Sequence, residues 1–343
     1  MKAILFPYQH AEGLHALRFL ASDFLMPIAG KSPAEHLVEF CISAEIRDIH
    51  MLVEDDPAAA ERYFGKGERW GANILVQSVD NTLPFIGQLT AAVVGIDGPI
   101  CCFPANLLVS GDFSEIVTAV SEGGLPAVTG KPGEPGFFVV SADTLQEVQK
   151  MDENADYGSV LDLLRNRRQP PVHCSIQTRL ITSLAEYLSA QQAILDGSWP
   201  GVRIAASRRE DGIWIDDHVT LSSQVKLIPP LLIGHRTRID GAGTIGPNAV
   251  IGPFCLINDT DLIEESALLP GTVTGPHTEL SQLIVHGSRI VNVRRGVCVT
   301  SPDAFILGDL PKIDDKEPAR SVYLPMALVG VLLLVLIWFF FLR

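Results

Sequence analysis

Apolar and polar positions fall into three patterns along this chain. Over 1–200, short apolar runs alternate with segments of helical spacing. The runs 3–6, 48–53, 72–76 and 100–103 read as strands. Between them, 32–44, with Leu37, Phe40 and Cys41 on one face, reads as a helix, as do 56–64, the stretch near 89–94, and 113–121. Strand and helix in alternation predict a mostly parallel, Rossmann-like α/β sheet.

The second pattern has a period of six. Ile215, Leu221, Leu227, Ile233, Ile239, Ile245, Ile251, Ile257, Ile263 and Leu269 are all aliphatic, and several are followed by Gly or Asp. This hexapeptide repeat predicts a left-handed parallel β-helix, in which three short strands close one triangular coil and the aliphatic residues stack inside. The register slips after residue 274. Residues 275–282 read as a loop or corner insertion, and 297–306 as a cap over the open end. Leu231, Leu232, Val250 and Leu256 lie off the period-six stripe and are expected on an outer face, a candidate surface for homo-oligomer formation.

The third pattern is a single run. Residues 322–342 carry no charge, and their 21 positions give roughly 31 Å of helix, about one hydrocarbon thickness. That predicts one transmembrane helix (322–343) behind a polar linker (312–321). It follows an α/β domain (1–200) and a β-helix with its cap (201–311). No secretory signal is recognisable, so the folded body is expected in the cytoplasm, held at a membrane by its C-terminal helix.

The formal charge of −14 and the lack of a basic run exclude nucleic acid as an expected partner. The six cysteines, Cys41, Cys101, Cys102, Cys174, Cys255 and Cys298, show no C-x-x-C spacing and read as reduced thiols, not a metal site. The adjacent pair Cys101-Cys102 reads as core packing, and Asp112, Asp216 and Asp217 as solvated turn or strand residues.

Several stretches resemble the sugar-nucleotide pyrophosphorylases, the nucleoside-diphosphate-sugar nucleotidyltransferases. They are Pro27-Ile-Ala-Gly-Lys-Ser-Pro-Ala-Glu-His36, Ile46-Arg-Asp-Ile49, Ala60-Glu-Arg-Tyr-Phe-Gly65 and Trp70-Gly-Ala-Asn73. Many members of that family also carry a C-terminal left-handed β-helix, so the resemblance extends over about residues 1–300. It implies transfer of a nucleotidyl group to a sugar 1-phosphate, with a divalent metal neutralising charge at the reacting phosphorus.

The residues that the resemblance would charge with this chemistry are altered. A G-G-x-G-T-R-like phosphate loop falls on Pro7–Gly13, where Tyr8, Gln9 and Ala11 replace glycines and Gly13 stands for the Arg. The Pro-Lys-Pro lysine falls on Ser22-Asp23-Phe24, with Asp23 at its place. A G-T-A-G base-recognition turn falls on Pro84-Phe85-Ile86-Gly87. The two metal carboxylates fall on Asn106 and Leu180. Lys31 belongs to a stretch the family uses for structure. The chain therefore reads as a degenerate member: no catalytic residue, no metal, no cofactor, and a scaffold or regulator in cell-surface polysaccharide or glycoconjugate production, with a protein partner in that assembly.

Two other readings stay open. One is a working sugar-1-phosphate nucleotidyltransferase with displaced catalytic groups. The other is a hexapeptide-repeat acyltransferase, for which His277 is the candidate base among His218, His235, His277 and His286.

Overall fold

The computed structural model describes residues 1–8, 25–80, 83–96, 98–114, 116, 120, 127–129, 136–166, 176–303 and 306–309. Met1–Asp309 forms one compact unit. The expected linker 312–321 and membrane helix 322–343 lie outside the described residues. Among the described residues no helix is long and apolar enough to cross a membrane.

The first part is an α/β sheet. Its strands are β1 (Lys2–Phe6), β2 (Asp48–Val53), β3 (Asn73–Ser78) and β4 (Ile100–Pro104), then β5 (Leu107–Ser110), β6 (Ala127–Val128), β7 (Phe138–Val140) and β8 (Gln177–Leu180). The helices are α1 (Pro33–Ser43), α2 (Pro57–Phe64), α3 (Phe85–Ala92), α4 (Ala142–Gln149), α5 (Tyr157–Arg165) and α6 (Leu184–Leu195). The main sheet has the order β3-β2-β1-β4-β7-β6, with β1 parallel to both β2 and β4. Apolar residues leave both faces of β1, so Ala3 and Leu5 enter one core and Ile4 and Phe6 another. That explains why this strand is a continuous apolar run rather than an alternating one.

Local sequence sets the helix boundaries. Ser32 caps α1 through the Glu35 amide, with Pro33 at the first position, and Asp56 caps α2 through Ala59. The α3 helix starts earlier than expected, at Phe85, because Phe85 and Ile86 are buried against Ile4 and Phe6. Most of 113–121 lies outside the described residues. Cys101 and Cys102 sit buried in β4, one on each face, and burial raises both thiol pKa values. Cys41, Cys101, Cys102, Cys255 and Cys298 are free thiols, and Cys174 lies outside the described residues.

The second part is a three-sided coil of parallel strands, consistent with the expected β-helix. One side carries Ile213–Ile215, Leu231–Ile233, Ala249–Ile251, Ala267–Leu268 and Leu283–His286. The other two run from Thr220–Leu221 to Thr272–Thr274 and from Gln224–Leu227 to Glu279–Ser281. Ile233 stacks on Ile251, Ile239 on Ile257 and Ile245 on Ile263, as the period of six requires.

The register departs from the expectation at two corners. Ile251 stacks on Leu268, not Leu269, and Leu268 on Val285, each 17 residues apart where earlier coils repeat at 18. The turn before each of these strands is one residue shorter. Leu269 is thereby turned out of the prism, against the α/β part. The stretch 275–282 is not an insertion, because Glu279–Ser281 is a coil strand whose Leu280 pairs with Ile263. Val297–Thr300 pairs antiparallel with Arg289–Asn292 and extends the sheet as its exposed edge strand, rather than lying across the coil's open end.

The supposed outer face is mostly not free. Residues two apart on a strand share a side, so Leu231 points inward with Ile233 and is fully buried. Leu232, Val250, Ala267 and Ile284 do face outward, and α6 covers them with Leu184, Tyr187, Ala190 and Ile194. Only Leu256 stays partly exposed.

Candidate functional site

In an open parallel sheet, a ligand site forms where neighbouring strands send their connections to opposite sides. Here β1 leads outward to β2 and β3, whereas β4 lies on its other flank, so the switch is at the carboxyl ends of β1 and β4. Phe6 pairs with Pro104 there, and the Ala105 amide donates to the Phe6 carbonyl at 2.8 Å. Tyr8 and Asn106 follow directly on the two strands.

Aromatic rings crowd this end. The Phe6 ring centroid lies 4.6 Å from that of Phe85 and 4.7 Å from that of Tyr157, and Tyr8 meets Tyr157 edge-on at 6.3 Å. Phe6, Pro7, Tyr8, Phe85, Gln88, Asp156 and Tyr157 line a narrow cleft with little free space. Burial, and then the Asp156 carboxylate, raise the pKa of Tyr8. Tyr157 is buried and donates its hydroxyl to the Gly136 carbonyl at 2.7 Å. Pro84, Phe85, Ile86 and Gly87 open α3, and Phe85 and Ile86 point into the core.

The tertiary structure brings the two expected metal positions together. Strands β5 and β8 pair antiparallel with Leu107 opposite Leu180. One residue outward, Asn106 Nδ2 donates to the Ile181 carbonyl at 2.6 Å, and the Ile181 amide donates to the Asn106 carbonyl at 3.0 Å. Asn106 is buried and its Oδ1 has no partner. Leu180 is buried and adds only hydrocarbon. A divalent metal does not fit this donor set, which offers one neutral oxygen and no carboxylate. Among the described residues no group of three His, Cys, Asp or Glu is placed to hold a metal ion. Gln9, Gly13 and Asp23 lie outside the described residues.

The retained motif residues form one linked framework beside the sheet. The His36 ring lies 3.0 Å from the Ile28 carbonyl through Nε2, which must therefore be the protonated nitrogen. Burial lowers the His36 pKa, so the ring is neutral. Lys31 pairs with Glu39. Glu35, 5% exposed, takes Arg69 at 2.7 Å and the hydroxyl of Tyr63. The Arg69 guanidinium lies over Trp70, 4.0 Å from the ring centroid. The Tyr187 hydroxyl donates to the Pro27 carbonyl at 2.5 Å, tying the motif to α6 and so to the coil. The Glu35 cluster escaped sequence reasoning, because Glu35 and Arg69 are 34 residues apart and no local spacing links them.

The coil histidines occupy corners. His218 and His277 take positive φ, as do Arg236, Phe254 and Asp259. His218, His235 and Phe254 make an edge-to-face ladder with steps of 5.4 and 5.8 Å. His277 is 80% exposed at its side chain, with Asp261 Oδ1 at 3.6 Å. His286 is half-buried at the end of the Leu283–His286 strand. Asp112 is an exposed turn residue whose pKa is lowered by hydrogen bonds from Ser114. Asp216 and Asp217 sit in a turn, with the Asp217 amide on Asp216 Oδ1.

The fold is thus a doubly wound sheet with a switch point at the ends of β1 and β4, followed by a parallel coil. No protein-family model matches. The chain is similar to a glucose-1-phosphate thymidylyltransferase of Streptomyces antibioticus, at 21% identity over 92% of this chain and 99% of the relative. It is also similar to a UTP–glucose-1-phosphate uridylyltransferase of Synechocystis, at 22% identity over 54% of this chain and 49% of the relative. Among solved structures, a glucose-1-phosphate thymidylyltransferase of Bacillus anthracis in complex with sucrose matches 56% of this chain and 94% of its own, with TM-score 0.48 and 12% identity. Its weak homologues are thus sugar-1-phosphate nucleotidyltransferases.

Proposed function

We propose that this chain is a nucleotidyltransferase-like protein that performs no nucleotidyl transfer and serves as a membrane-held scaffold or regulator in nucleotide-sugar-dependent glycan assembly. The observation that carries this reading is the Asn106–Ile181 pairing. The positions that resemblance assigns to two metal carboxylates are neighbours, and they hold an amide committed to a backbone carbonyl and a leucine. A metal-assisted phosphoryl transfer needs anionic oxygen ligands to fix the ion. The crowded aromatic end of β1, where a phosphate loop would begin, supports the same conclusion.

Purified full-length chain in detergent is incubated with Mg²⁺, each nucleoside triphosphate and each common sugar 1-phosphate. The expected result is no pyrophosphate above the protein-free control. Release that disappears when the protein is heat-denatured overturns the proposal. It would favour the second reading, an active sugar-1-phosphate nucleotidyltransferase, to which similarity along 92% of the chain gives weight. An acyltransferase is tested separately, by coenzyme A release with amino-sugar acceptors and its loss in His277→Ala.

A further inference from the structure

The coil ends in a two-stranded flap. Arg289–Asn292 pairs antiparallel with Leu283–His286 on one side and with Val297–Thr300 on the other. Val297–Thr300 is the terminal strand of its sheet. At about 4.8 Å per strand, the flap carries that sheet roughly 10 Å beyond the last coil. All four residues of the terminal strand are exposed.

Its composition differs from the rest of the surface. Nine large hydrophobic residues are exposed among the described residues, and three of them, Val297, Val299 and Ile306, lie at this end, each about half-exposed. Scattered apolar residues are ordinary, but a group on a projecting edge marks an interaction surface. Residues 287–302 also hold three arginines and no acid, in a chain of formal charge −14. Arg294 and Arg295 form the exposed turn of the flap. Two acids adjoin the patch in space: the Asp309 carboxylate lies against Gly287, and Glu265 lines one pocket with Arg294. Leu307–Asp309 extends a neighbouring side of the coil at the same end, so the chain leaves the described body there. Twelve residues, 310–321, then precede the apolar run 322–342. Fully extended they reach about 40 Å at most.

We propose that this end of the coil rests on an anionic lipid surface, with Arg294 and Arg295 against the headgroups and Val297 and Val299 in the interfacial layer. The proposal depends on the reading that 322–342 enters a bilayer. It adds which face of the folded body meets the lipid, and it selects anionic over neutral membranes, because arginine gains from the surface potential that only anionic lipids supply.

Cys298 is a native reporter, exposed on the terminal strand while Cys41, Cys101, Cys102 and Cys255 are buried. Full-length chain carrying Cys174→Ser is labelled at Cys298 with a fluorophore. It is reconstituted into phosphatidylcholine vesicles, with or without phosphatidylserine, containing headgroup-nitroxide lipid. The expected result is quenching in the phosphatidylserine vesicles only. The docked-to-undocked ratio should fall about fivefold for each arginine replaced by serine at 294 and 295, and fall again in Val297→Ser/Val299→Ser, with unchanged circular dichroism. A bright, unquenched label on protein that floats with the vesicles overturns the docking and leaves the anchor standing. Failure to float overturns the anchor reading itself. Quenching that ignores phosphatidylserine and both arginines, or a label that self-quenches as protein per vesicle rises, assigns the flap to a protein contact and overturns the proposal.

Discussion

Asn106 and Ile181 clasp each other through two hydrogen bonds, side-chain amide to carbonyl at 2.6 Å and backbone amide to carbonyl at 3.0 Å. This pair extends the β5–β8 ladder by one residue at its Leu107–Leu180 end. Asn106→Asp exchanges a donor for a buried carboxylate facing the Ile181 carbonyl. It should cost about 1–3 kcal/mol, read as a lower midpoint in urea. Burial raises the introduced carboxyl's pKa in the folded state, so the deficit should be small at acid pH, where the acid can still donate. The deficit should grow as pH rises past the unfolded value near 4. A deficit independent of pH contradicts this account.

The Glu35 cluster joins α1 to the segment after α2. Arg69→Ala leaves the buried carboxylate with only the Tyr63 hydroxyl. Because Arg69 is itself 57% exposed, the loss is placed at about 1–2 kcal/mol, below that of a fully buried pair. Glu35→Gln/Arg69→Ala should recover part of it, since the unpaired charge is gone. Chemical denaturation of the single and double variants checks this. A double variant no more stable than Arg69→Ala refutes it.

Burial holds the pKa of His36 and of His50 below the ordinary histidine value. In the unfolded chain both take up a proton near pH 6.5. Stability should therefore be full above that pH and decline as pH falls through it, because the unfolded state then binds more protons. Imidazole titration by NMR should show His36 and His50 still neutral below pH 6.5. Ordinary titration of both would refute the prediction.

Val250 and Leu231 are buried within the chain, one beneath α6 and one inside the coil. A charged residue at either should lower the melting temperature sharply, by the several kcal/mol that an unpaired buried charge costs, rather than yield a folded monomer from an oligomer. Leu268→Asp should be as damaging and Leu256→Asp mild. Thermal melts of the four variants, with light scattering, decide the order.

Deleting 322–343 should move the protein from the membrane fraction to the soluble fraction. Truncated protein that still sediments and resists high salt contradicts the anchor.

Much of the fold is written locally. The Ser32 and Asp56 caps, the strand 48–53 and the period-six stripe from Ile215 to Ile263 all depend on neighbours a few residues away, which a linear pattern records. The identities of Asn106 and Leu180 were likewise legible. What the sequence could not carry was distance. A turn shortened by one residue moves Leu269 from the prism to the seam, because side-chain direction on a strand alternates and a single deletion reverses it. Whether Val250 faces solvent or α6, and whether Asn106 meets Ile181 or Glu35 meets Arg69, depends on segments tens of residues apart meeting in space. Composition and spacing determined that the chain makes an α/β sheet, a stacked coil and one apolar run. Only tertiary packing decided that α6 closes one outer face of the coil and that Asn106 meets the Leu180–Ile181 end of β8.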